Sequence, residues 1–262
     1  MPLMRRSFQI IATLLLFAAP ASAGITYDYK STTTGLSNQT VAGRVHAEGK
    51  SVRVDIATGD GVLFKNGSFV VSSNGGLNMT VVDPAAKTFY QIDLAQRLGG
   101  GGLLEQLGDV TMEVRDPKVS VTGGADAGTL EGFTAKKSKV ATAYEIAVSA
   151  FGQPLTVRMQ VDSDVWWTDQ LSADFTNFLQ MRGLRTGMDA IDKLIEAQSS
   201  SIRGFPLKQV TTTKISLGGN DMTTTTTSIV SDVKKVTVPA AMFALPDGFT
   251  KTANPMEMMF QR

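Results

Sequence analysis

Leu77-Asn78-Met79-Thr80-Val81-Val82-Asp83-Pro84-Ala85-Ala86-Lys87-Thr88-Phe89-Tyr90-Gln91-Ile92-Asp93 is the stretch from which the fold can be read. Leu77, Met79 and Val81 stand at every second position, and so do Thr88, Tyr90 and Ile92. A period of two marks a strand with one apolar face. Between the two runs, Pro84 is suited to the second position of a turn, with Asp83 ahead of it. Two alternating runs about a short turn predict an antiparallel hairpin.

The same theme recurs on both sides. Ile25, Tyr27 and Tyr29 alternate, as do Val41, Gly43 and Val45, and then Val52, Val54 and Ile56. Lys65-Asn66-Gly67 reads as a hairpin turn, because Asn-Gly tolerates the positive φ of tight turns. Beyond the opening stretch, strands are predicted at 110–115, 119–121, 139–148, 155–161 and 165–167, with Gly123 to Gly128 as a loop. Two threonine-rich strands follow at 207–217 and 222–236, a composition that suits a solvated face. In all, about ten or eleven antiparallel strands are expected, at the spacing of a barrel or sandwich.

Two regions break the period. Leu94, Leu98, Leu103, Leu104 and Leu107 suit a helical face, interrupted by Gly99-Gly100-Gly101-Gly102. Each interior glycine costs a helix about 1 kcal/mol relative to alanine, so the run reads as a hinge between two short pieces. Leu171, Phe175, Phe178 and Leu179 form a second helical face, with Ser172 as N-cap and Gly183 as stop. Met188, Ile191, Leu194 and Ile195 mark a third amphipathic stretch, closed by Ser199-Ser200-Ser201. No composition break divides the chain, so one domain is expected over 24–249, with a tail at 250–262 that frays from Lys251.

The N-terminus reads as a secretory signal peptide over 1–23. Arg5 and Arg6 precede an apolar run from Phe8 to Ala19, and Ala21-Ser22-Ala23 is a small-residue cleavage site. Cleavage near Ala23 places the mature chain, starting at Gly24, in the periplasm or outside the cell. The formal charge of the whole chain is +1, which offers no basic surplus for phosphates, so nucleic acid is not an expected partner.

The residues that usually carry chemistry are scarce. The 262-residue chain has no cysteine and one histidine, His46. That excludes thiolate nucleophiles and thiolate metal sites, and leaves a zinc or copper site with a single imidazole. The tetraglycine run lacks the Lys-Ser or Lys-Thr pair of a phosphate loop, so no cofactor is implied. Asp162, Asp164 and Asp169 are the one acidic group that could gather a cation or act as an acid pair. Their spacing lacks a calcium-loop pattern, and no metal is expected. Trp166 and Trp167 are adjacent in a strand and must face opposite sides.

Several motifs, in this order, resemble the periplasmic lipoprotein-carrier superfamily, the Lol-type carriers, and more closely a group of exported bacterial proteins similar to them. They are Gly43-Arg44-Val45-His46-Ala47-Glu48-Gly49-Lys50-Ser51-Val52-Arg53-Val54-Asp55, Val82 to Tyr90, Gly132-Phe133, Val165-Trp166-Trp167, and Phe243 with Leu245-Pro246-Asp247-Gly248-Phe249. The resemblance implies a mainly β (α+β) fold, a single open antiparallel half-barrel whose helical insertions form a lid over an apolar cavity. Val52, Val54, Met79, Val81, Tyr90, Met112, Met159 and Trp166 are then the expected cavity wall. Leu98, Leu103, Leu104, Phe175, Phe178, Leu179, Ile191 and Ile195 are the expected lid. Arg53 is the nearest match to the family's lid-holding arginine, with Arg44 second. The function implied is a non-catalytic carrier or chaperone for a lipid or a lipoprotein acyl chain. The alternative is a structural or protein-interaction module of the cell envelope with a filled core. A hydrolase using the acidic pair is a third reading.

Overall fold

Asp83 to Lys87 turns the chain as its residues require. In the computed structural model, which describes residues 24–59, 65–93, 110–150, 153–176 and 188–255, Asp83 Oδ1 accepts the N–H groups of Ala85 at 3.0 Å and Ala86 at 3.1 Å. This is the local bonding by which aspartate nucleates turns. Lys65 Nζ lies 2.7 Å from the same carboxylate. Its hydrogen bond, with that from Ala86, holds the Asp83 carboxyl below the usual carboxylate range. The flanking strands pair Met79 with Ile92 and Val81 with Tyr90, the register the alternation predicts.

In chain order the strands are β1 (Gly24–Thr34), β2 (Gln39–Glu48), β3 (Ser51–Thr58), β4 (Phe69–Ser72), β5 (Asn78–Asp83) and β6 (Thr88–Asp93). Then come β7 (Val110–Leu130), β8 (Phe133–Ala150), β9 (Gln153–Thr168), the helix α1 (Asp189–Ser201), β10 (Phe205–Leu217), β11 (Asn220–Val236) and β12 (Thr250–Lys251). All twelve belong to one open sheet in the order β12-β6-β5-β4-β3-β2-β1-β11-β10-β9-β8-β7. Every pairing is antiparallel except β12 with β6.

Directly paired residues share a face, so the register sorts side chains across the whole sheet. Tyr90, Val81, Val70, Val54, Val45 and Tyr27 form one inner row. Tyr29, Val230, Ser228, Gln209, Val165 and Ser138 continue it on the other half. The main core fills the inner face over β1 to β3, where Ile25, Tyr27, Val45, Val52, Val54 and Ile56 pack with Leu171, Phe205 and Leu207. A second apolar cluster continues it over β4 to β6 with Val70, Met79, Val81 and Ile92. Tyr27 is fully buried, its ring edge-on to Phe205 at 5.2 Å and its hydroxyl donating to the Phe175 carbonyl at 3.1 Å.

The structure departs from the sequence reading in several places. Among the described residues the strands number twelve rather than ten or eleven, one of them the two-residue β12. Gly123 to Gly128 is not a loop. It lies inside β7, which pairs with β8 along its length through three register shifts. Bulges of this kind absorb residues whose φ is positive; at Gly123 φ is 112°, and a Cβ there would stand 2.5 Å from the Lys137 carbonyl oxygen. Of the helix expected from Leu171, the described part is a 3-10 turn over Ala173–Thr176, where the Asp174 N–H donates to Ser172 Oγ at 3.2 Å. Thr250 and Lys251, placed in the tail and the second expected to fray, pair with Thr88 and Phe89. Beyond them the Thr252 N–H donates to the Phe89 carbonyl at 2.8 Å and Asn254 Nδ2 to the Gln91 carbonyl at 3.1 Å. The predicted leader, the tetraglycine region and the stretch 177–187 lie outside the described residues.

Candidate functional site

α1 is built to lie on the sheet. Asp189 and Asp192 occupy its first turn, where carboxylates complement the helix dipole. Leu194 is buried, Ile191 and Ile195 are half-buried, and Lys193 and Glu196 are exposed. Past its end, Ile202 is buried with Val140, Val165 and Trp167. Gln198 Nε2 donates to Thr142 Oγ1 at 2.6 Å, fixing the helix to β8.

Between α1 and the inner face of β8, β9 and β10 lies a cavity of 310 Å³. Its apolar lining is Val140, Val161, Val165, Ile195 and Ile202. Its polar lining is Thr142, Ser163, Gln198, Ser199, Gln209 and Thr211. The polar groups are bonded to one another: Ser163 Oγ and Thr211 Oγ1 are 2.8 Å apart, and Gln209 Nε2 donates to Thr211 Oγ1 at 3.0 Å. No acid, base or histidine is among the described residues that line it. A smaller hollow of 50 Å³ shares Gln209 and includes Tyr29, Ser228 and Val230.

Of the expected cavity wall, Val52, Val54, Met79, Val81, Tyr90, Met112 and Met159 fall on the inner face by register. None of them lines the cavity under α1. Val52 and Val54 belong to the main core, and Met79 and Val81 to the second cluster with Tyr90 against it. Met112 is half-buried. Met159 borders a separate, charged hollow with Asp116, Lys118, Glu145, Arg158 and Lys214. The tryptophan pair is split as adjacency requires, but Trp167 is the inner one. It is buried and donates from Nε1 to Ser138 Oγ at 3.0 Å. Trp166 is on the outer face, with Lys137 Nζ 4.5 Å and Lys208 Nζ 4.9 Å from its ring centre.

Of the expected lid, Ile195 lines the cavity and Ile191 stands one turn earlier on α1. Phe175 packs on the main core. Leu98, Leu103, Leu104, Phe178 and Leu179 lie outside the described residues. Arg53 points to the outer face, away from α1. Its guanidinium stacks on Phe69 at 3.8 Å, bonds Asp55 at 2.7 Å, and donates to the Met242 carbonyl at 3.3 Å. It holds the 3-10 turn Ala240–Phe243 rather than α1. Arg44, also outer, bridges Asp28 and Asp232, whose hydrogen bonds raise its pKa.

His46 Nε2 is 3.3 Å from Asp55 Oδ2 on that outer face. Two effects oppose there: burial lowers the imidazole pKa and Asp55 raises it, and burial prevails with help from Arg53 and Arg44. Asp164 and Asp169 are held by Lys137 at 3.1 Å and Lys136 at 2.6 Å, while Asp162 accepts from Gln160 at 3.0 Å. Among the described residues no cluster of three metal-ligating side chains forms, and no helix is long and apolar enough to cross a membrane. The cavity's hydroxyl residues were missed because Gln209 and Thr211 lie in a threonine-rich strand whose composition suits a solvated face, and Ser163 stands between two aspartates. Extending the Val157-Met159-Val161 alternation by two steps would have placed Ser163 and Val165 with them.

No protein-family model matches the chain, and no curated protein matches it in sequence. Among solved structures, an uncharacterized conserved protein from Thermus thermophilus superposes with a TM-score of 0.37 at 12% identity, covering 88% of this chain and 90% of that one. A LolA-superfamily protein from Nitrosomonas europaea gives 0.31 at 11% identity, over 86% and 91%. PNGF-II gives 0.30 at 10%, over 91% of this chain and 33% of that chain. The second of these belongs to the superfamily that the sequence motifs resemble.

Proposed function

We propose that this protein is an exported, non-catalytic binding protein that shelters the apolar part of a small ligand between α1 and the inner face of β8 to β10. The observation that carries this reading is the cavity itself. Its 310 Å³ sits at the lower end of the range of small-ligand sites, roughly 300–1,000 Å³. Its described lining residues offer surfaces to bind with and include no acid, base or histidine: the only histidine is on the opposite face. The leader read from the sequence sends the chain to the periplasm or beyond, where a carrier or chaperone for lipid or acyl groups would act.

Nile red, a neutral dye whose emission rises in apolar surroundings, tests the site. The purified protein should enhance its fluorescence saturably, and Ser163→Phe, which fills the cavity from its floor, should abolish the enhancement with the far-UV circular dichroism unchanged. Absence of enhancement by the unaltered protein would sink the reading. It would favour the alternative of an envelope interaction module, which is supported by the solid packing of the inner face over β1 to β6.

A further inference from the structure

We infer that the cavity under α1 selects an uncharged, single-chain amphiphile with a hydroxylated head, of the monoacylglycerol type; this rests on the cavity being a ligand site. Three features of the lining carry it. The first is charge. No charged side chain is among the described residues that line the cavity, and an ionised head brought into a low-dielectric site without a partner is strongly disfavoured. A carboxylate or phosphate head would find no charged partner among these residues.

The second feature is the row of hydroxyl and amide groups. Thr142 and Ser163 are buried, and Ser163 continues through Thr211 to Gln209. Each hydroxyl carries one donor and two acceptor lone pairs, so a bonded pair keeps capacity for a further partner. A bare hydrocarbon laid along this row would strip those groups of water and return nothing. A head bearing hydroxyls replaces the water. The row continues past Gln209 on the inner face, where Tyr29 Oη and Ser228 Oγ are 3.2 Å apart and Ser228 bonds Ser31 at 3.2 Å. The head therefore points toward Gln209 and Ser228, and the chain lies against Val161, Val165 and Ile195.

The third feature is size. At about 30 Å³ for each water-sized group, 310 Å³ takes roughly ten methylene or hydroxyl groups, which is the greater part of one medium chain with its head and not two chains, the remainder lying at the open mouth.

The test is a titration of the purified protein at pH 8 with 1-decanoylglycerol, methyl decanoate and decanoate below their aggregation limits, read by displacement of Nile red and by native mass spectrometry. Decanoylglycerol should bind at least tenfold tighter than decanoate and several-fold tighter than methyl decanoate. Thr211→Val, which keeps the shape and removes the hydroxyl, should weaken decanoylglycerol several-fold and leave methyl decanoate unchanged. Decanoate binding as tightly as the glycerol ester, or methyl decanoate matching it, overturns the proposed selectivity while the site itself stands. Binding of none of the three, with no Nile red enhancement, overturns both.

Discussion

Tyr27→Phe removes one oxygen atom from the centre of the sheet, and the structure fixes what that should do. The Tyr27 ring is fully buried against Phe205, and its hydroxyl donates to the Phe175 carbonyl in the 3-10 turn Ala173–Thr176. The ring contact survives the change. The hydrogen bond does not, and a carbonyl that loses its partner away from water costs about 1–3 kcal/mol. For a chain of this length about 1 kcal/mol moves the melting temperature by roughly 2–4 °C, so the variant should melt roughly 2–12 °C lower. A second signature comes from pH. Burial pushes the Tyr27 phenol far above its ordinary value. Below about pH 10 the phenol is protonated in both folded and unfolded chains and its contribution is intact. Above it the unfolded chain ionises and the folded one does not, so stability falls with rising pH, by about 1.4 kcal/mol per pH unit for one proton. The variant should lose that share of the alkaline slope, while Tyr90 and Tyr144, also raised by burial, keep theirs. Urea unfolding from pH 8 to 11.5 reads both effects. A variant with unchanged melting temperature and unchanged slope would refute the assignment of Tyr27 as the tie between the sheet and the turn.

Gly204→Ala should be among the most damaging small substitutions: the added Cβ would stand 2.1 Å from the Thr168 carbonyl oxygen and 2.7 Å from Trp167 Cε3. A loss of about 3 kcal/mol or more is expected, seen as a fall in the denaturant midpoint; a neutral result would mean that α1 does not return to β10 as described. His46 should lower stability in acid. Its pKa is depressed by burial, so below about pH 6.5 the unfolded chain takes up a proton that the folded one resists, and His46→Gln should flatten the fall in stability between about pH 6.5 and 5. Phe249→Ala should cost about 2 kcal/mol, because Phe249 covers Phe69, Val71 and Val82 on the outer face; faster amide exchange at Thr250 and Thr252 would accompany it, and unchanged protection there would place the segment's stability elsewhere.

The strands were legible wherever alternation and turn chemistry agreed, as at Met79 to Ile92, where Asp83 and Pro84 set the register. Face was harder. Adjacent tryptophans must point apart, but which of them points inward depends on Lys137 and Lys208 lying beside Trp166, and those partners come from β8 and β10. Glycine punctuates loops and bulges alike, so Gly123 to Gly128 gave the same signal as a loop would. β12 is too short to have a period, and its partner lies 162 residues earlier at Thr88. The cavity was hidden for a different reason. Valine and methionine on the inner face suggested a wall, yet over β1 to β6 they pack against each other, and the open space lies where the strands carry serine and threonine.

The sheet order has a consequence for how the chain reaches this structure. β1 to β6 and β7 to β11 each pair neighbour with neighbour, and each half can zip locally. They join through a single pairing, β1 with β11, which brings Thr34 beside Thr225. Until Asn220 to Val236 has emerged, β1 and β10 each keep a bare edge, and edges of that kind recruit other chains. Long-range closure is also the slow part of β folding. Assembly thus waits for nearly the last strand to be made, and a polypeptide stopped short of it would be two half-sheets with their central seam exposed.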